Sequence, residues 1–161
     1  MSDNSEFARF RKIMEILQGP EGCPWDSTQT FSSLKPSIIE EAAEVVCGAN
    51  VYEATGNSDN LREELGDLMM VIMLECRIAE SQGMFSVDDV LHDVADKMIR
   101  RHPHVFGDGD ASNTGEVLVK WEEIKKEEKA GKKVLEEQYL KDAMIESKKL
   151  IDVAMARKGY N

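Results

Sequence analysis

Apolar residues recur along this chain at helical spacing. Phe7, Phe10, Met14 and Leu17 follow a 3-4-3 rhythm, so "EFARFRKIMEILQG" predicts a first amphipathic helix, ended by Gly19-Pro20. A loop, "GPEGCPWDSTQT", follows around Trp25. Pro36 suits the first turn of a second helix that runs to about Gly48 or a little beyond. "TGNSDN" is a polar break, and Asn60 with Glu63 resembles a capping box opening a third helix to about Gln82, with Gly83 as its stop. Ser86 and Asp89 mark the next start and Pro103 the next stop. After the loop "GDGDASNTG", Asn113 and Glu116 open a fifth helix to about Ala130; beyond Gly131 a sixth pattern runs from Val134 to about Ala156. No alternating Val/Ile/Thr-rich run bounded by turns occurs, and neither does an internal repeat. The expected fold is all-α, a bundle of five to six helices.

One segment departs from amphipathicity. "LMMVIML", 68 to 74, is apolar on every side, and such a helix must be covered on every side. A small bundle has few helices to do this, so the segment is expected to help form a subunit interface in a homodimer or higher homo-oligomer. A central core helix in a monomer is the alternative.

Composition narrows the class. The chain has 161 residues, 42% hydrophobic and 32% charged, ordinary values for one globular domain. No continuous apolar run is long enough for a membrane span, and "MSDNSEFARF" lacks the basic and apolar regions of a secretory signal, so the expected location is the cytoplasm. The three cysteines, Cys23, Cys47 and Cys76, are odd in number and far apart; they read as reduced thiols, two of them core residues on helices. A net charge of −11 argues against a protein that grips nucleic acid by its backbone. It leaves room for an anionic substrate if metal cations stand between.

The acidic residues have a pattern. In "SIIEEAAEVV", Glu41 and Glu44 are three apart and Glu40 and Glu44 four apart, so all three cluster about one helix face. Glu64 and Asp67 repeat the three-residue spacing on the next helix. The short connection between the helices predicts an antiparallel hairpin. That packing would gather Glu41, Glu44, Glu64 and Asp67, at a cost in repulsion unless the group is protonated or binds a cation. Oxygen ligands without sulfur or imidazole favour Mg²⁺, with Mn²⁺ as substitute. The plainer reading is a solvated acidic face, but the apolar flanks of "EEAAE" leave it little room. A di-iron carboxylate centre fits poorly: it wants two Glu-x-x-His motifs, and the nearest spacing is Asp89 to His92. His102 and His104, beside Pro103, read as local packing or capping groups.

Cations complete the picture. Lys97 and Arg101 share a face of the fourth helix, and Trp121 and Lys125 a face of the fifth. Lys97, Arg101 and Lys125 could neutralise phosphate oxygens, with Trp121 against the substrate; solvated basic residues and a core tryptophan are the alternative.

The segments "GCPWDSTQTFSSL", "EEAAE", "ELGD", "KMIRRHPHVFGD" and "WEEIKKEE", in this order, resemble the MazG-type nucleoside triphosphate pyrophosphohydrolases over about residues 5 to 130. The resemblance implies hydrolysis of NTP or dNTP to the monophosphate and pyrophosphate with Mg²⁺, in an all-α bundle assembled across subunits. It implies that Glu41, Glu44, Glu64 and Asp67 hold metal and that Lys97, Arg101, Trp121 and Lys125 contact the nucleotide. It further implies that Glu40, beside the ligand Glu41, orients or deprotonates the attacking water. Trp25 and Asp26, in the loop, are candidates for contact with the base, with anchoring of the turn as the alternative. The resemblance usually implies removal of damaged or non-standard nucleotides, with control of nucleotide pools or of the alarmone ppGpp as the alternative.

Longer family members carry two such domains. Here one, residues 1–130, is expected, followed by a helical extension, residues 131–161, without an assignable motif. Two competing functions stand beside this one: a phosphoribosyl-ATP or dUTP/dCTP-type pyrophosphatase with the same cage, and a catalytically silent helical regulatory module.

Overall fold

The computed structural model describes residues 5–110, 113–129 and 133–160. Among the described residues there are eight α-helices and no strand: α1 Glu6–Leu17, α2 Pro24–Ser27, α3 Phe31–Thr55, α4 Asp59–Ser81, α5 Val87–Arg101, α6 Pro103–Phe106, α7 Thr114–Lys129 and α8 Lys133–Lys158. The all-α expectation holds, and the helix count rises from the five to six expected. The two additions, α2 and α6, are four residues long and start at Pro24 and Pro103. In the sequence Pro103 reads as a stop and Pro24 as part of a loop. Proline is equally a helix starter, because its ring presets φ and the first turn needs no N–H donor.

Other boundaries move for local reasons. The second long helix does not begin near Pro36. Thr30 caps it: Thr30 Oγ1 accepts from the Ser33 N–H at 3.1 Å, and Ser33 Oγ accepts from the Thr30 N–H at 2.9 Å. This reciprocal cap places Pro36 inside α3, where it removes a helical N–H. At the far end α3 runs on to Thr55, where Gly56 adopts φ 73° and donates its N–H to the Tyr52 carbonyl. Asn60 is not the cap of α4. Ser58 holds that position, and Asn57 Oδ1 accepts from the Asp59 N–H at 2.8 Å. Asn113 does open α7, accepting from the Glu116 N–H at 3.1 Å. Ala130 and Gly131 lie outside the described residues.

Two compact units divide the chain: Met1–Val87 with Glu146–Asn161, and Asp88–Ile145. The first contains the hydrophobic core, built from Met14 of α1, Leu34 of α3, Val71, Met73, Leu74, Cys76 and Ile78 of α4, and Val87. Phe10, Leu17, Phe31 and Ile38 pack against it. α3 and α4 form the predicted hairpin, and α1 lies against α4. Of the cysteines only Cys76 is buried; Cys23 is intermediate and Cys47 exposed, so one thiol belongs to the core where two were expected. The apolar run of α4 is split: Val71, Met73 and Leu74 are buried, whereas Met69 and Ile72 remain about half exposed at 50% and 49%. No helix among the described residues is long and apolar enough to cross a membrane.

In the second unit α5 and α7 are joined through Arg101 and Glu128, and His102 makes a T-shaped contact with Trp121 at 5.0 Å. The expected packing role of His102 is visible: its Nδ1 lies 2.6 Å from the Met98 carbonyl oxygen and donates to it.

Candidate active site

The hairpin brings its helices unusually close at Gly48. A Cβ at this position would stand 2.7 Å from Leu61 Cα and 3.0 Å from Leu61 N, so only a glycine lets the α4 backbone approach here. Seven residues before Gly48 on α3 stands Glu41; three and six residues after Leu61 on α4 stand Glu64 and Asp67. One carboxylate oxygen from each of Glu41, Glu64 and Asp67 lies within 4.8 Å of the others, and among the described residues no other cluster of metal-ligating side chains of this kind occurs.

Glu41 sits least comfortably. Its Oε2 is buried and has no hydrogen-bond partner among the described residues. Burial pushes the Glu41 carboxyl above its ordinary pKa, and Glu44, Asp67, Glu64 and Glu40 add repulsion in that order. A partly buried oxygen facing other carboxylates is relieved by a proton or a cation. The donor set is all oxygen, so a hard divalent ion such as Mg²⁺ or Mn²⁺ fits. Glu64 is held in place by Asn60, whose Nδ2 donates to Glu64 Oε1 at 2.7 Å.

Three of the four expected ligands therefore meet; Glu44 does not join them. It is engaged by Lys158, from the last turn of α8. The same lysine ammonium lies 3.1 Å from Glu40 Oε1, and Arg157 donates to Glu40 Oε2. The hydrogen bond from Arg157, reinforced by Lys158, holds the Glu40 carboxyl below its ordinary pKa. The Lys158 ammonium is in turn driven upward by its bonds to Glu44 and then Glu40. Two neighbouring carboxylates of "EEAAE" thus differ in kind: Glu40 is ionised and paired, Glu41 crowded and unpaired.

Asn60, Arg157 and Lys158 are contacts that sequence reasoning missed. The four-residue spacing of Asn60 and Glu64 was legible as a same-face pair. The basic end of α8 offered only charge complementarity over more than a hundred residues of chain, with no spacing rule to connect it to α3. Beside these ion pairs a cavity of about 270 Å³ opens between α3 and the end of α8. Ile39, Ala43, Cys47, Ile151 and Met155 make its apolar wall, and Glu44 and Glu64 lie at its edge.

The remaining candidates occupy other places. Trp25 and Asp26 are on α2, and Trp25 is 58% exposed. In the second unit, Arg101 Nη2 and Nε donate to Glu128 Oε2 at 2.7 and 3.0 Å, and its guanidinium carbon lies 5.1 Å from the centre of the Trp121 ring. Lys125 pairs with Glu122 at 3.1 Å, and Lys97 is half-buried on α5. The structure brings Arg101 and Trp121 together, and gives both Arg101 and Lys125 a carboxylate partner.

A helical hairpin that directs carboxylates from both arms to one point defines an all-α domain with an acidic cage. Residues 29–106, which hold α3 to α6, match the model of the MazG nucleotide pyrophosphohydrolase domain, and the chain carries a domain of that family. It is 43% identical over 129 residues to the nucleoside triphosphate pyrophosphohydrolase of Escherichia coli (strain K12), covering 80% of this chain and 48% of the relative. It is 42% identical over 127 residues to the nucleoside triphosphate pyrophosphohydrolase/pyrophosphatase MazG of Thermotoga maritima, covering 79% and 47%. An uncharacterized protein of Bacillus subtilis (strain 168) is 44% identical over 124 residues, 77% of this chain and 24% of the relative. The chain thus spans about half the length of the first two relatives and about a quarter of the third.

Proposed function

We propose that this chain hydrolyses nucleoside triphosphates, ribo- or deoxyribo-, to the monophosphate and pyrophosphate in a Mg²⁺-dependent reaction that clears the cytoplasmic nucleotide pool of non-standard members. The observation that carries this reading is the meeting of Glu41, Glu64 and Asp67 with a buried, unpartnered Glu41 oxygen. The family of the domain and the names of its relatives support the substrate class.

Glu41, Glu64 and Asp67, joined by Glu44 once it leaves Lys158, would hold the ion. Bound there, Mg²⁺ supplies charge neutralisation for the phosphates and polarises the phosphorus under attack. Glu40 is the candidate base: ionised at neutral pH, it can accept a proton from water as the water oxygen bonds to the α-phosphorus. The bond from the α-phosphorus to the bridging oxygen breaks, and pyrophosphate leaves. Lys97, Arg101 and Lys125 would balance charge on the phosphates, Trp121 would pack against the nucleotide, and Trp25 and Asp26 would meet the base. Residues 1–130 are read as the hydrolase domain and residues 131–161 as its extension. Half-exposed Leu65, Met69 and Ile72 on α4, with Phe7 and Ile13 on α1, support assembly as a homodimer through this face.

A panel of NTPs and dNTPs with Mg²⁺ tests the reading. Pyrophosphate is the expected product, and orthophosphate in its place would refute the mechanism. The same panel separates a dUTP/dCTP-type preference, and phosphoribosyl-ATP added to it covers the third substrate. A silent regulatory module is favoured by one observation, the cations already seated on Glu40 and Glu44. Folded protein that binds no Mg²⁺ would support it.

A further inference from the structure

We infer that the last turn of α8 is an intramolecular latch on the acidic site: Lys158 and Arg157 hold Glu40 and Glu44, and a divalent cation completes its ligand set only as they let go. The inference rests on the reading of Glu41, Glu44, Glu64 and Asp67 as a cation site.

Three features of the geometry lead to it. Adjacent residues of one helix turn make three ion pairs to two carboxylates four residues apart on α3. The Lys158 ammonium bridges Glu40 and Glu44, so it performs for these two groups the neutralisation that a metal ion would. Glu44 is the one expected ligand absent from the Glu41–Glu64–Asp67 cluster, and it is the one that Lys158 holds. A single carboxylate is thus shared between an internal cation and the cage.

The packing of α8 suits a part that can leave. Ile151 and Met155 face the cavity against α3 but stay 41% and 44% exposed, and the cavity leaves the apolar contact incomplete. A further tie of this segment is a surface ion pair, Lys35 to Glu146 at 3.0 Å. Ion pairs at both ends thus contribute to holding the C-terminal half of α8. A divalent ion in direct contact with the carboxylates is a stronger competitor for them than a lysine ammonium reaching in from solvent. Helix C-termini favour basic residues on dipole grounds alone, and that would account for Arg157 and Lys158 being basic. It does not account for both side chains converging on "EEAAE".

The test is calorimetric titration of the 161-residue chain with Mn²⁺, without nucleotide, combined with hydrogen exchange over residues 146–158. R157Q/K158Q should bind Mn²⁺ about fivefold more tightly than the unaltered protein, the size expected when a competing surface ion pair is removed. K158R, which keeps the charge, should bind as the unaltered protein does. K148Q is the control: Lys148 pairs with Asp152 on α8 itself, so its loss removes a positive charge from the same segment without freeing Glu44, and affinity should hold. Saturating Mn²⁺ should lower amide protection over 146–158 in the unaltered protein. Equal affinities in R157Q/K158Q and the unaltered protein, equal tightening in K148Q, or undiminished protection with metal bound would overturn the latch alone. Absence of Mn²⁺ binding in every form, with helicity intact by circular dichroism, would overturn the cation-site reading and the latch with it.

Discussion

Gly48 of α3 and Leu61 of α4 touch backbone to backbone, and the acidic cluster is positioned by that contact. A methyl group at Gly48 would meet Leu61 Cα at 2.7 Å, and backbone cannot swing aside as a side-chain tip can. Gly48→Ala gains roughly 1 kcal/mol in helix propensity and loses about 1–3 kcal/mol to overpacking. The expected net result is destabilisation by about 1 kcal/mol, read as a lower urea midpoint at unchanged slope. Because α4 must shift, Mn²⁺ affinity should fall as well. A stable Gly48→Ala with unaltered metal binding would show that the close approach does not set the cage.

Glu41→Gln should separate stability from function. In the metal-free protein the Glu41 carboxylate is opposed by burial and by four neighbouring acids, so neutralising it removes a penalty. The sign follows from linkage: the folded-state pKa lies above the unfolded value of 4.5, so the unfolded chain gives up this proton first. The stability associated with protonated Glu41 is complete below pH 4.5 and lost as pH rises through its raised folded value. Glu41→Gln should abolish that fall. At pH 7 it should melt a few degrees higher than the parent without metal, the gain held to about 1 kcal/mol by solvent screening. Turnover and Mn²⁺ binding should both disappear. A variant that melts lower in the metal-free state, or that still turns over, would remove Glu41 from the ligand role.

How much of this was readable in advance depends on the range of the interaction. The spacing of Glu41 and Glu44, and of Glu64 and Asp67, is local, and so is the short connection that makes α3 and α4 a hairpin; these were legible. The start of α3 was misplaced because a Thr30–Ser33 cap, with serine where the usual signature has Glu or Gln, is a weaker signal than Pro36. The split of α4 into a buried and an open face needed α1 and α3 in place. The diversion of Glu44 to Lys158 was out of reach, since nothing periodic links residues so distant in the chain.

Arg101 is doubly held inside its own unit, by Glu128 and by the Trp121 ring, and this predicts a structural cost for altering it. Arg101→Ala should expose the ring and destabilise the α5–α7 pair by about 1 kcal/mol. With Trp25 replaced by Phe, so that Trp121 is the sole reporter, its emission should shift to the red. The hydrogen bond from Arg101 holds the Glu128 carboxyl below its ordinary value. The stability from this pair is therefore present above pH 4.5 and lost as pH falls through the folded value. In Arg101→Ala that acid-side loss should shrink in the Trp121 unfolding profile, the remainder coming from Arg100, whose Nε donates to Glu128 Oε1 at 3.2 Å. Unchanged emission would mean that the stacking contact is not maintained in solution.

The open face of α4 makes a prediction about assembly. Leu65, Met69 and Ile72 present apolar surface, and an apolar groove bounded by Phe7, Phe10 and Ile13 of α1 with Gly66 and Met69 of α4 runs beside them. Gly66 is informative because a Cβ there meets nothing within 4 Å in the single chain. In a monomer, Gly66→Ala should simply stabilise α4 by about 0.5–1 kcal/mol. If a second copy covers this face, the added methyl intrudes on the interface and weakens association. Met69→Asp should act more strongly, placing a charge on the apolar face. Sedimentation equilibrium over a range of concentrations should therefore find the unaltered chain as a dimer and Met69→Asp as a monomer, with Gly66→Ala dissociating at higher concentration than the parent. A parent protein that sediments as a monomer, with Gly66→Ala merely more stable, would leave the half-exposed side of "LMMVIML" as ordinary surface.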